Sequence, residues 1–398
     1  MALQLAKSGP ASASILIVDQ DSKTTNDRTW CFWHGDPCPV PRSVLSKSWP
    51  NLSFHSRSFD TQSPIAPYTY SMVRSADWYR HMHRELRAFP QVSFLRARIR
   101  EIDEDVMGAF VVMENGEIIR GRTILNSCRP APAKTSGGPT YHLWQHFKGW
   151  WIETAEDAFD PETARLMDFR TDQGGHSCFF YLLPITPRKA LVEYTVFSRE
   201  LFGADLYEKA FHEYMEQQFP GITYLIKEEE NGKIPMTNRS YSRYTQANII
   251  NIGTVGGVVK PTTGYAFLRI LTESKQVAQK LVRGERVTGD YSPASRFAFY
   301  DRLLLHILQE KGWFGERIFT ALFRSNPIPR ILTFLDEGTS CAQEVLLFAF
   351  LPKRPFLKAL WHQLIYPFRE TESTPPQTLW TPKNKYPANQ QVTPDLSH

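Results

Sequence analysis

The first 22 residues, MALQLAKSGPASASILIVDQDS, constrain the fold more than any other stretch of the chain. Residues 2–7 have the apolar spacing of an amphipathic helix, Gly9 is a typical stop after it, and ILIVD is a short buried strand that ends in Asp19. A helix followed by a strand that ends in an acid is the middle of a dinucleotide-binding unit, where the acid binds a ribose. The alternative role for Asp19 is that of a turn or helix-capping aspartate.

The composition is that of a globular protein with a reduced-thiol environment. The chain has 398 residues, 42% of them hydrophobic, which predicts one large enzyme or two to three domains. A formal net charge of +5 is too mild and too evenly scattered to favour nucleic acid as the main partner. The five cysteines lie far apart without metal-binding spacing, so we expect no metal site and a cytoplasmic location.

Apolar runs such as VLLFAFL fall far short of the roughly 18 residues that span a bilayer. We therefore expect no transmembrane segment, and no secretory leader. Aromatic residues make up 13% of the chain, which is consistent either with a densely packed core or with a large apolar ligand.

The order of predicted elements indicates a nucleotide-binding fold that is interrupted by an antiparallel sheet. Asn115-Gly116 in FVVMENGEIIR supplies the positive φ angles of a tight hairpin turn. A return to the first part of the fold is predicted at the strand 248–252, and the pattern beyond Gly264 is almost wholly helical. The other predicted elements are helices over 76–88 and 205–218, strands up to 127, strands through 140–198, and a strand over 222–229.

The segment NIINIGTVGGVVKPTTGYAFLRIL has the pattern of a ligand-binding helix start. A buried strand ends at Gly253, and Pro261-Thr262-Thr263-Gly264 opens the next helix. Backbone N–H groups at a helix N-terminus attract anions, and Gly264 would let a flat ring or a pyrophosphate approach the main chain. The alternative is an ordinary helix start with a threonine cap.

Glu193, in KALVEYTVF, is the candidate acid–base residue. If this segment is a strand, Leu191 and Phe197 share the face of Glu193, and the intervening positions are apolar as well. A carboxyl group on a strand covered on both sides is poorly hydrated, which raises its pKa and suits it to proton transfer. The alternative is a strand-end glutamate that pairs with Arg188 or Lys189.

Two further segments allow more than one interpretation. In LPKRPFLKALWHQLIYPF (351–368), apolar residues at helical spacing lie beside Lys353, Arg354 and Lys358, which predicts either a helix in a membrane interface or a terminal helix docked on the core. The acidic residues of DEDVMGAFVVMENGE are interpreted as the solvated face of a hairpin rather than as a metal site.

Taken together, these stretches resemble the lycopene cyclases of the bacterial and plant flavoprotein type. The resemblance runs in order through LIVDQDS…NDRTWCFW, MDFRTDQ, FFYLLPITPRKALVEYTVFS, IKEEENGKIPMT and GGVVKPTTGYAF, and continues into FYDRLLLHIL and FLDEGTS…LPKRPFLKALW. It covers nearly everything from residue 2 to about 365, and collinear agreement at this many stretches is much more specific than any single motif.

The resemblance implies an α/β fold: a Rossmann-like FAD-binding domain of the glutathione-reductase type, with an inserted antiparallel β-sheet substrate domain and a helical C-terminal part. The reaction implied is the redox-neutral closure of the linear ends of lycopene to β-rings, giving γ-carotene and then β-carotene. It implies reduced FAD as cofactor, NAD(P)H as electron donor, a linear carotenoid as substrate and peripheral contact with the inner face of the membrane.

The resemblance also assigns residues. Glu193 is the first glutamate of the family's L-[IV]-E-[DE]-T strand and takes its acid–base role, with the first proton coming from Glu193 or from the flavin. The second acidic position of that motif is Tyr194 here. The implied FAD contacts are Asp19, Gly253, Pro261, Thr262, Thr263, Gly264 and Tyr265.

Relatives carry a strand and a G-x-G-x-x-G loop before ALQLAKSG, and this sequence has neither. Two explanations fit: a start codon assigned too late, or a degenerate copy of the gene. We favour the first, and expect the chain as given to bind FAD poorly.

The predicted division of the chain is a first FAD-binding part (1–135), a substrate sheet (136–245), a returning FAD-binding segment (246–290), a helical part (291–368) and a disordered tail (369–398). The alternatives are a related FAD-dependent monooxygenase or prenyl reductase, and a non-catalytic, membrane-associated carotenoid-binding protein.

Overall fold

The computed structural model describes residues 1–128, 139–287 and 295–365, so the predicted tail lies outside the described residues. The helices are α1 (Ala2–Ser8), α2 (Ser75–Leu86), α3 (Ala204–Gln218), α4 (Phe267–Val282), α5 (Ser295–Glu310), α6 (Phe314–Ser325), α7 (Ile328–Leu335), α8 (Cys341–Phe348) and α9 (Lys353–Ile365). The strands up to the first gap are β1 (Ile15–Asp19), β2 (Thr29–His34), β3 (Lys47–Trp49), β4 (Asn51–Ser56), β5 (Phe59–Pro64), β6 (Thr69–Arg74), β7 (Val92–Arg96), β8 (Ile99–Asp105), β9 (Gly108–Met113), β10 (Ile118–Gly121) and β11 (Ile124–Asn126). The later strands are β12 (His142–Thr154), β13 (Thr163–Asp168), β14 (Ser177–Thr186), β15 (Lys189–Ser198), β16 (Tyr224–Thr237), β17 (Tyr244–Gln246) and β18 (Ile249–Asn251).

The nucleotide-binding part contains the parallel strand pairs that the sequence predicts. α1 leads into β1, which pairs in parallel with β7, and α1 buries Leu3 and Ala6. β11 pairs in parallel with β18, with Ile124 opposite Ile249. The chain therefore leaves this part after β11 and returns to it at β18, as predicted from the strand at 248–252.

The interrupting sheet has seven strands in the order β16-β12-β15-β14-β13-β4-β5. β16, β12, β15 and β14 are antiparallel neighbours, while β13 pairs in parallel with β4. β4 and β5 come from the range that the sequence analysis places in the first FAD-binding part, so this sheet extends beyond 136–245. The division of the chain into domains stays a prediction.

Both faces of the large sheet are buried, because apolar side chains occupy alternate positions on each side of its central strands. One face carries Leu191 and Phe197 and packs against α5–α8 and the small sheet β2-β6-β3. The opposite face carries Val192 and Tyr194 and packs against α3. Stacked rings fix α3 there: Trp150 on Phe211 at 4.2 Å between centroids.

β2, the TWCFW segment, lies between two environments. Trp30 and Phe32 stack on Phe267 at the start of α4, with ring centroids 5.1 and 5.3 Å apart. Cys31 and Trp33 point the other way, into the core on the face of the large sheet that carries Leu191. Because successive side chains of a β-strand point to opposite sides, β2 packs against the start of α4 on one side and against the large sheet on the other.

Three local predictions need correction. At the β9–β10 turn only Gly116 has a positive φ, +86°, so Asn115 does not share the left-handed conformation. The strand predicted over 222–229 continues to Thr237, because β12 pairs with it along its whole length. Pro261-Thr262-Thr263-Gly264 forms a turn before α4, which begins only at Phe267.

Candidate active site

Glu193 lies in the middle of β15, directly opposite Tyr181 of β14 and Gly149 of β12. The predicted two faces of this strand are confirmed, with Glu193 on the face that also carries Leu191 and Phe197. The predicted alternative, an ion pair with Arg188 or Lys189, is wrong. Arg188 pairs with Asp157 at 2.6 Å and Lys189 with Glu153 at 3.5 Å, since both lie at the strand end.

Glu193 is half-buried in a crowded part of the protein. Its side chain keeps part of its accessible surface, while burial is the main cause of its raised pKa. Burial likewise raises the pKa of Cys31, Tyr181, Tyr265 and Glu230, which also keep part of their accessible surface. We infer that these side chains line an internal space.

Aromatic hydroxyl groups form one wall of this space. Tyr70 and Tyr265 are hydrogen-bonded at 3.2 Å between their hydroxyl oxygens, and Tyr181 also bonds to Tyr265. Burial raises the pKa of all three phenols, so they stay neutral at physiological pH. The ring of Trp33 packs edge-on against Tyr265 with centroids 4.8 Å apart.

The carboxyl group of Glu193 is held in its protonated form at neutral pH. Burial, reinforced by the negative charge of Glu230, raises its pKa from 4.5 to about 8. The hydroxyl of Thr195, 2.9 Å from Oε1, acts in the opposite direction by stabilising the carboxylate. A proton donor at neutral pH therefore faces an enclosed, largely aromatic space.

Glu230 of β16 is a second carboxyl group on the same face. Gly149 of β12 lies opposite both Glu193 on β15 and Glu230 on β16. The two glutamates are therefore on the strands that flank β12, with Gly149 between them. Thr29 donates its hydroxyl hydrogen to Oε2 of Glu230 at 2.6 Å, and the indole N–H of Trp151 lies 3.4 Å from the same oxygen.

Tyr194, which stands at the second acidic position of the family motif, points away from this space. Its ring packs against Phe180 and Tyr207 on the face covered by α3. Adjacent residues of a strand face opposite sides of a sheet, so the residue after Glu193 lies outside the site. The second carboxyl group beside Glu193 comes from a different strand.

The predicted cofactor segment lies against the same face of the large sheet. Gly264 has φ +71°, and a Cβ built on it would lie 2.6 Å from Oε1 of Gln145 on β12. That oxygen is buried and has no hydrogen-bond partner among the described residues. Tyr265 follows directly and extends to Tyr70 and Tyr181. The turn before α4 and the surroundings of Glu193 are thus contiguous.

Other residues of this segment that were predicted to contact the cofactor form hydrogen bonds within the protein. The hydroxyl of Thr262 donates to Asp301 at 2.7 Å, and the amide N–H of Gly253 donates to Glu273 at 2.9 Å. Thr263 accepts the amide N–H of Tyr265 at 3.4 Å, while Pro261 is half-buried at the start of the turn. These residues fix the shape of the turn, with Lys260 bonded to Asp301 behind it.

Asp19 lies at the end of β1, where its carboxylate accepts the amide N–H of Asp21 at 2.9 Å. That is the local turn contact that the sequence analysis gives as the alternative to ribose binding. Asp19 also acts electrostatically on Tyr79, whose ring packs edge-on against Trp30 at 5.9 Å. Trp30 in turn stacks on Phe267 at the start of α4.

Sequence reasoning missed Glu230, Gln145 and Tyr181 as members of the site. Each becomes recognisable only when the register of the large sheet is known, since they lie on three different strands. The run KEEENGK contains three consecutive acids, and nothing in its sequence distinguishes the inward-facing Glu230 from Glu228 and Glu229.

Two other features concern the described ranges as a whole. Among the helices in these ranges, none is long and apolar enough to cross a bilayer. Within the same ranges, no cluster of three or more His, Cys, Asp or Glu side chains is arranged to hold a metal ion.

Solved structures share this architecture over almost their whole length. Flavin-dependent brominase Bmp2 matches with a TM-score of 0.56 and 12% identity, covering 92% of this chain and 95% of the brominase. A geranylgeranyl bacteriochlorophyll reductase-like protein from Thermoplasma acidophilum matches with a TM-score of 0.57 and 12% identity, covering 91% and 95%. The fold is thus the α/β fold of flavoprotein halogenases and reductases, with a Rossmann-like FAD-type domain.

Sequence comparison identifies the family within that fold class. The family described as "Lycopene cyclase protein" matches residues 1–361. Neoxanthin synthase from Solanum tuberosum is 24% identical over 215 residues, 49% of this chain but only 41% of that enzyme. Lycopene beta-cyclase from Pantoea ananas is 22% identical over 274 residues, 67% of each chain. The chain belongs to the lycopene cyclase family.

Proposed function

We propose that this protein closes the linear ends of lycopene into β-rings, giving γ-carotene and then β-carotene, with Glu193 as the acid–base residue. The observation that carries the proposal is a carboxyl group, protonated at neutral pH, that faces an enclosed aromatic space. Family membership supports a carotenoid substrate, since the family is named for lycopene cyclisation.

The chemistry requires a proton that is delivered and then taken back. A protonated Glu193 adds its proton to the terminal double bond, which produces a tertiary carbocation. The neighbouring double bond attacks this cation, and loss of a ring proton to the carboxylate completes an isomerisation with no net gain of atoms or electrons. A positioned acid–base group typically contributes about 10²–10⁴-fold to such a reaction.

The aromatic surroundings suit a cationic intermediate. Water would capture the carbocation, and a space lined by Trp151, Tyr181 and Tyr265 keeps water away from it. The faces of aromatic rings also stabilise positive charge directly. Because the phenols stay neutral, none of them supplies a competing base.

FAD, the cofactor implied by the fold class, fits the segment before α4. Gly264 leaves room where a Cβ would fill the space beside Gln145, whose unpartnered buried oxygen is ready to accept a hydrogen bond. No described side chain caps α4, so its first N–H groups are available to an acceptor. We propose that Gly264, Tyr265 and Gln145 hold the ring system and that Asp19 binds the ribose. Reduced FAD, when bound, supplies an electron-rich ring that stabilises positive charge.

NAD(P)H is the proposed electron donor that keeps the flavin reduced, as the family resemblance implies. We further propose a cytoplasmic location with peripheral contact with the inner face of the membrane, where lycopene is dissolved. Exposed apolar side chains on α9 and just before it support membrane contact, with Phe350, Trp361 and Leu364 each about two-thirds exposed, at 70%, 66% and 67%.

Expression in cells that accumulate lycopene, followed by chromatography of the pigments, tests the proposal. We expect β-carotene from the wild type. In Glu193→Gln, turnover should fall by roughly 10²-fold or more, because Gln cannot exchange a proton. The control Glu153→Gln removes a surface carboxylate that pairs with Lys189, and it should retain wild-type turnover.

Two results would contradict this proposal. Consumption of NAD(P)H in proportion to product would indicate a related monooxygenase or prenyl reductase. Binding of lycopene without any conversion, by wild type and Glu193→Gln alike, would indicate a carotenoid-binding protein without catalytic activity.

A further inference from the structure

The two glutamates on either side of Gly149 form a pair that the proposed chemistry does not yet use. Neighbouring strands lie about 4.8 Å apart, so the backbones of Glu193 and Glu230 are about 10 Å from each other across β12. Side-chain atoms of both glutamates lie close to Gly149. A Cβ built on Gly149 would lie 3.5 Å from Cβ of Glu193 and 3.1 Å from Cγ of Glu230.

The absence of a side chain at Gly149 leaves nothing from β12 between the two carboxyl groups. Any other residue there would fill the gap and contact Leu191 as well, with its Cβ 3.0 Å from Cδ1. Gly149 has no positive φ, so backbone conformation does not call for glycine at this position. The close approach of Leu191, Glu193 and Glu230 does.

The surroundings of the two carboxyl groups differ in a way that divides their roles. Glu230 accepts hydrogen bonds from Thr29 and Trp151, and the guanidinium of Arg74 acts on it electrostatically. Glu193 accepts from Thr195, its one donor among the described residues. Burial raises the pKa of Glu230 as it does that of Glu193, but two hydrogen-bond donors and a cation act against this rise, so Glu230 gives up its proton more readily than Glu193.

Other titratable or charged groups lie around Glu193 and Glu230 on the elements that pack against them. They are Cys31 on β2, Tyr70 and Arg74 on β6, Tyr181 on β14, Glu228 on β16, and Tyr265 before α4. Arg74 forms an ion pair with Glu228, whose side chain is half exposed, and its guanidinium lies 4.4 Å from the ring centroid of Trp151. The thiol and the phenols stay neutral because burial raises the pKa of each.

We propose that Glu230 is a positioning residue that acts through Glu193: its carboxylate, held by Thr29 and Trp151 across Gly149, keeps Glu193 in the protonated form that donates to the substrate. The two glutamates share one proton, because two like charges separated by a single glycine in a buried site repel each other. When Glu193 has given its proton to the substrate, two negative charges lie on either side of Gly149, and their repulsion favours uptake of a ring proton by Glu193. This inference deepens the proposed function and relies on it only where a rate is measured.

Infrared difference spectroscopy of the purified protein tests the proposal without any turnover. The C=O stretching band of protonated carboxylic acids that disappears in Glu193→Gln belongs to Glu193, and we expect it to titrate near pH 8 in the wild type. In Glu230→Gln the midpoint should fall by about one pH unit or more, a tenfold change in the protonation equilibrium. Glu230→Asp, which keeps the charge, should restore the midpoint toward the wild-type value.

Glu229→Gln is the matched control. Glu229 is the adjacent residue on β16, faces the opposite side of the sheet, and pairs with Lys148 at 3.1 Å. Its loss should leave the midpoint unchanged. A wild-type midpoint in Glu230→Gln, or an equal shift in Glu229→Gln, would overturn the proposal.

The rate measurement follows the same logic. Because the protonated form of Glu193 donates, the rate of cyclisation should fall as pH rises through its pKa. In Glu230→Gln this fall should occur at lower pH. The variant should therefore change the rate near pH 6 less than the rate near pH 8. A uniform loss of rate at all pH values would show that Glu230 has a purely structural role. If no variant forms cyclised product but the infrared midpoint still shifts, the cyclase proposal fails and the carboxyl pair stands.

Discussion

At the scale of single residues, the site depends on carboxyl groups placed where water is scarce. Glu193 has its pKa raised to about 8, mainly by burial. Asp336, which accepts the indole N–H of Trp33 at 2.6 Å, has its pKa raised to about 6 for the same reason. A buried carboxyl group with a raised pKa lowers the free energy of unfolding at pH values where the unfolded chain ionises it. At Glu193 the proposed catalytic role explains why such a group is present.

The stability of Glu193→Gln should therefore depend on pH. In the folded protein Glu193 binds its proton up to about pH 8, whereas in the unfolded chain it releases the proton near its ordinary value of 4.5. The wild-type residue thus opposes folding increasingly as pH rises between these values. We expect Glu193→Gln to increase the free energy of unfolding by about 3 kcal/mol at pH 7 and by little at pH 4.

Urea denaturation at the two pH values measures this difference. Glu153→Gln, which removes an exposed carboxylate, should show no comparable gain at pH 7. Equal stability of wild type and Glu193→Gln at pH 7 would contradict a protonated, poorly hydrated Glu193.

At the scale of elements, β12 organises the site. Along one face it presents Gln145 beside the turn before α4, then Gly149 between the two glutamates, then Trp151 beside Glu230. Gln145 and Gly149 are four residues apart, about 13 Å along an extended strand. A single strand thus sets the spacing between the proposed flavin contact and the proposed proton donor.

Substitution of Gly264 by alanine tests the turn that faces β12. Alanine at φ +71° is strained, at a cost of about 1–2 kcal/mol, and its Cβ would also clash with Gln145. Gly284 has nearly the same φ, +70°, with nothing within 4 Å of a built Cβ, so Gly284→Ala measures the backbone strain alone. We expect a larger loss of unfolding free energy in Gly264→Ala, together with loss of bound flavin.

Urea denaturation and the flavin absorbance of the purified proteins give both quantities. Equal losses of stability in the two variants would mean that the turn has room for a methyl group, which would contradict close packing of Gly264 on β12.

At the scale of the whole molecule, the C-terminal helices carry apolar side chains that no other part of the described chain covers. α9 docks on α5 through Ala359 and Leu360, which agrees with the core-docking interpretation of its sequence. On its outer side Leu357, Trp361 and Leu364 remain exposed. The basic residues Lys353, Arg354 and Lys358 are exposed on the same helix, the arrangement expected at an anionic lipid surface. Membrane contact of this helix stays a prediction, and Phe368 lies outside the described residues.

Sedimentation with vesicles that contain anionic lipid tests membrane contact. We expect Leu357→Ser combined with Trp361→Ser to weaken binding at least tenfold, since each side chain contributes roughly 1.5–3 kcal/mol when buried in an apolar phase. Leu206, 47% exposed on α3, provides the control in Leu206→Ser. Membrane binding that survives in the double variant would assign the contact to another surface.

Part of this protein is determined by its sequence alone, because the signals involved are local. Period-two alternation identifies β15 and places Glu193 on one face, and apolar spacing identifies α1 and α2 within a residue or two of their ends. The order of elements predicts the departure and return of the chain at β11 and β18. The collinear motifs identify the family.

Tertiary structure alone decides which side chains surround Glu193 and Glu230. Thr29, Trp151 and Glu230 come from three strands, and only the strand register brings them to one side of Gly149. Tertiary structure also decides that Thr262 and Gly253 form hydrogen bonds to Asp301 and Glu273. A strand's sequence states which residues share a face, but hydrogen bonds between distant strands determine what that face contacts, and the sequence contains no local signal for that pairing.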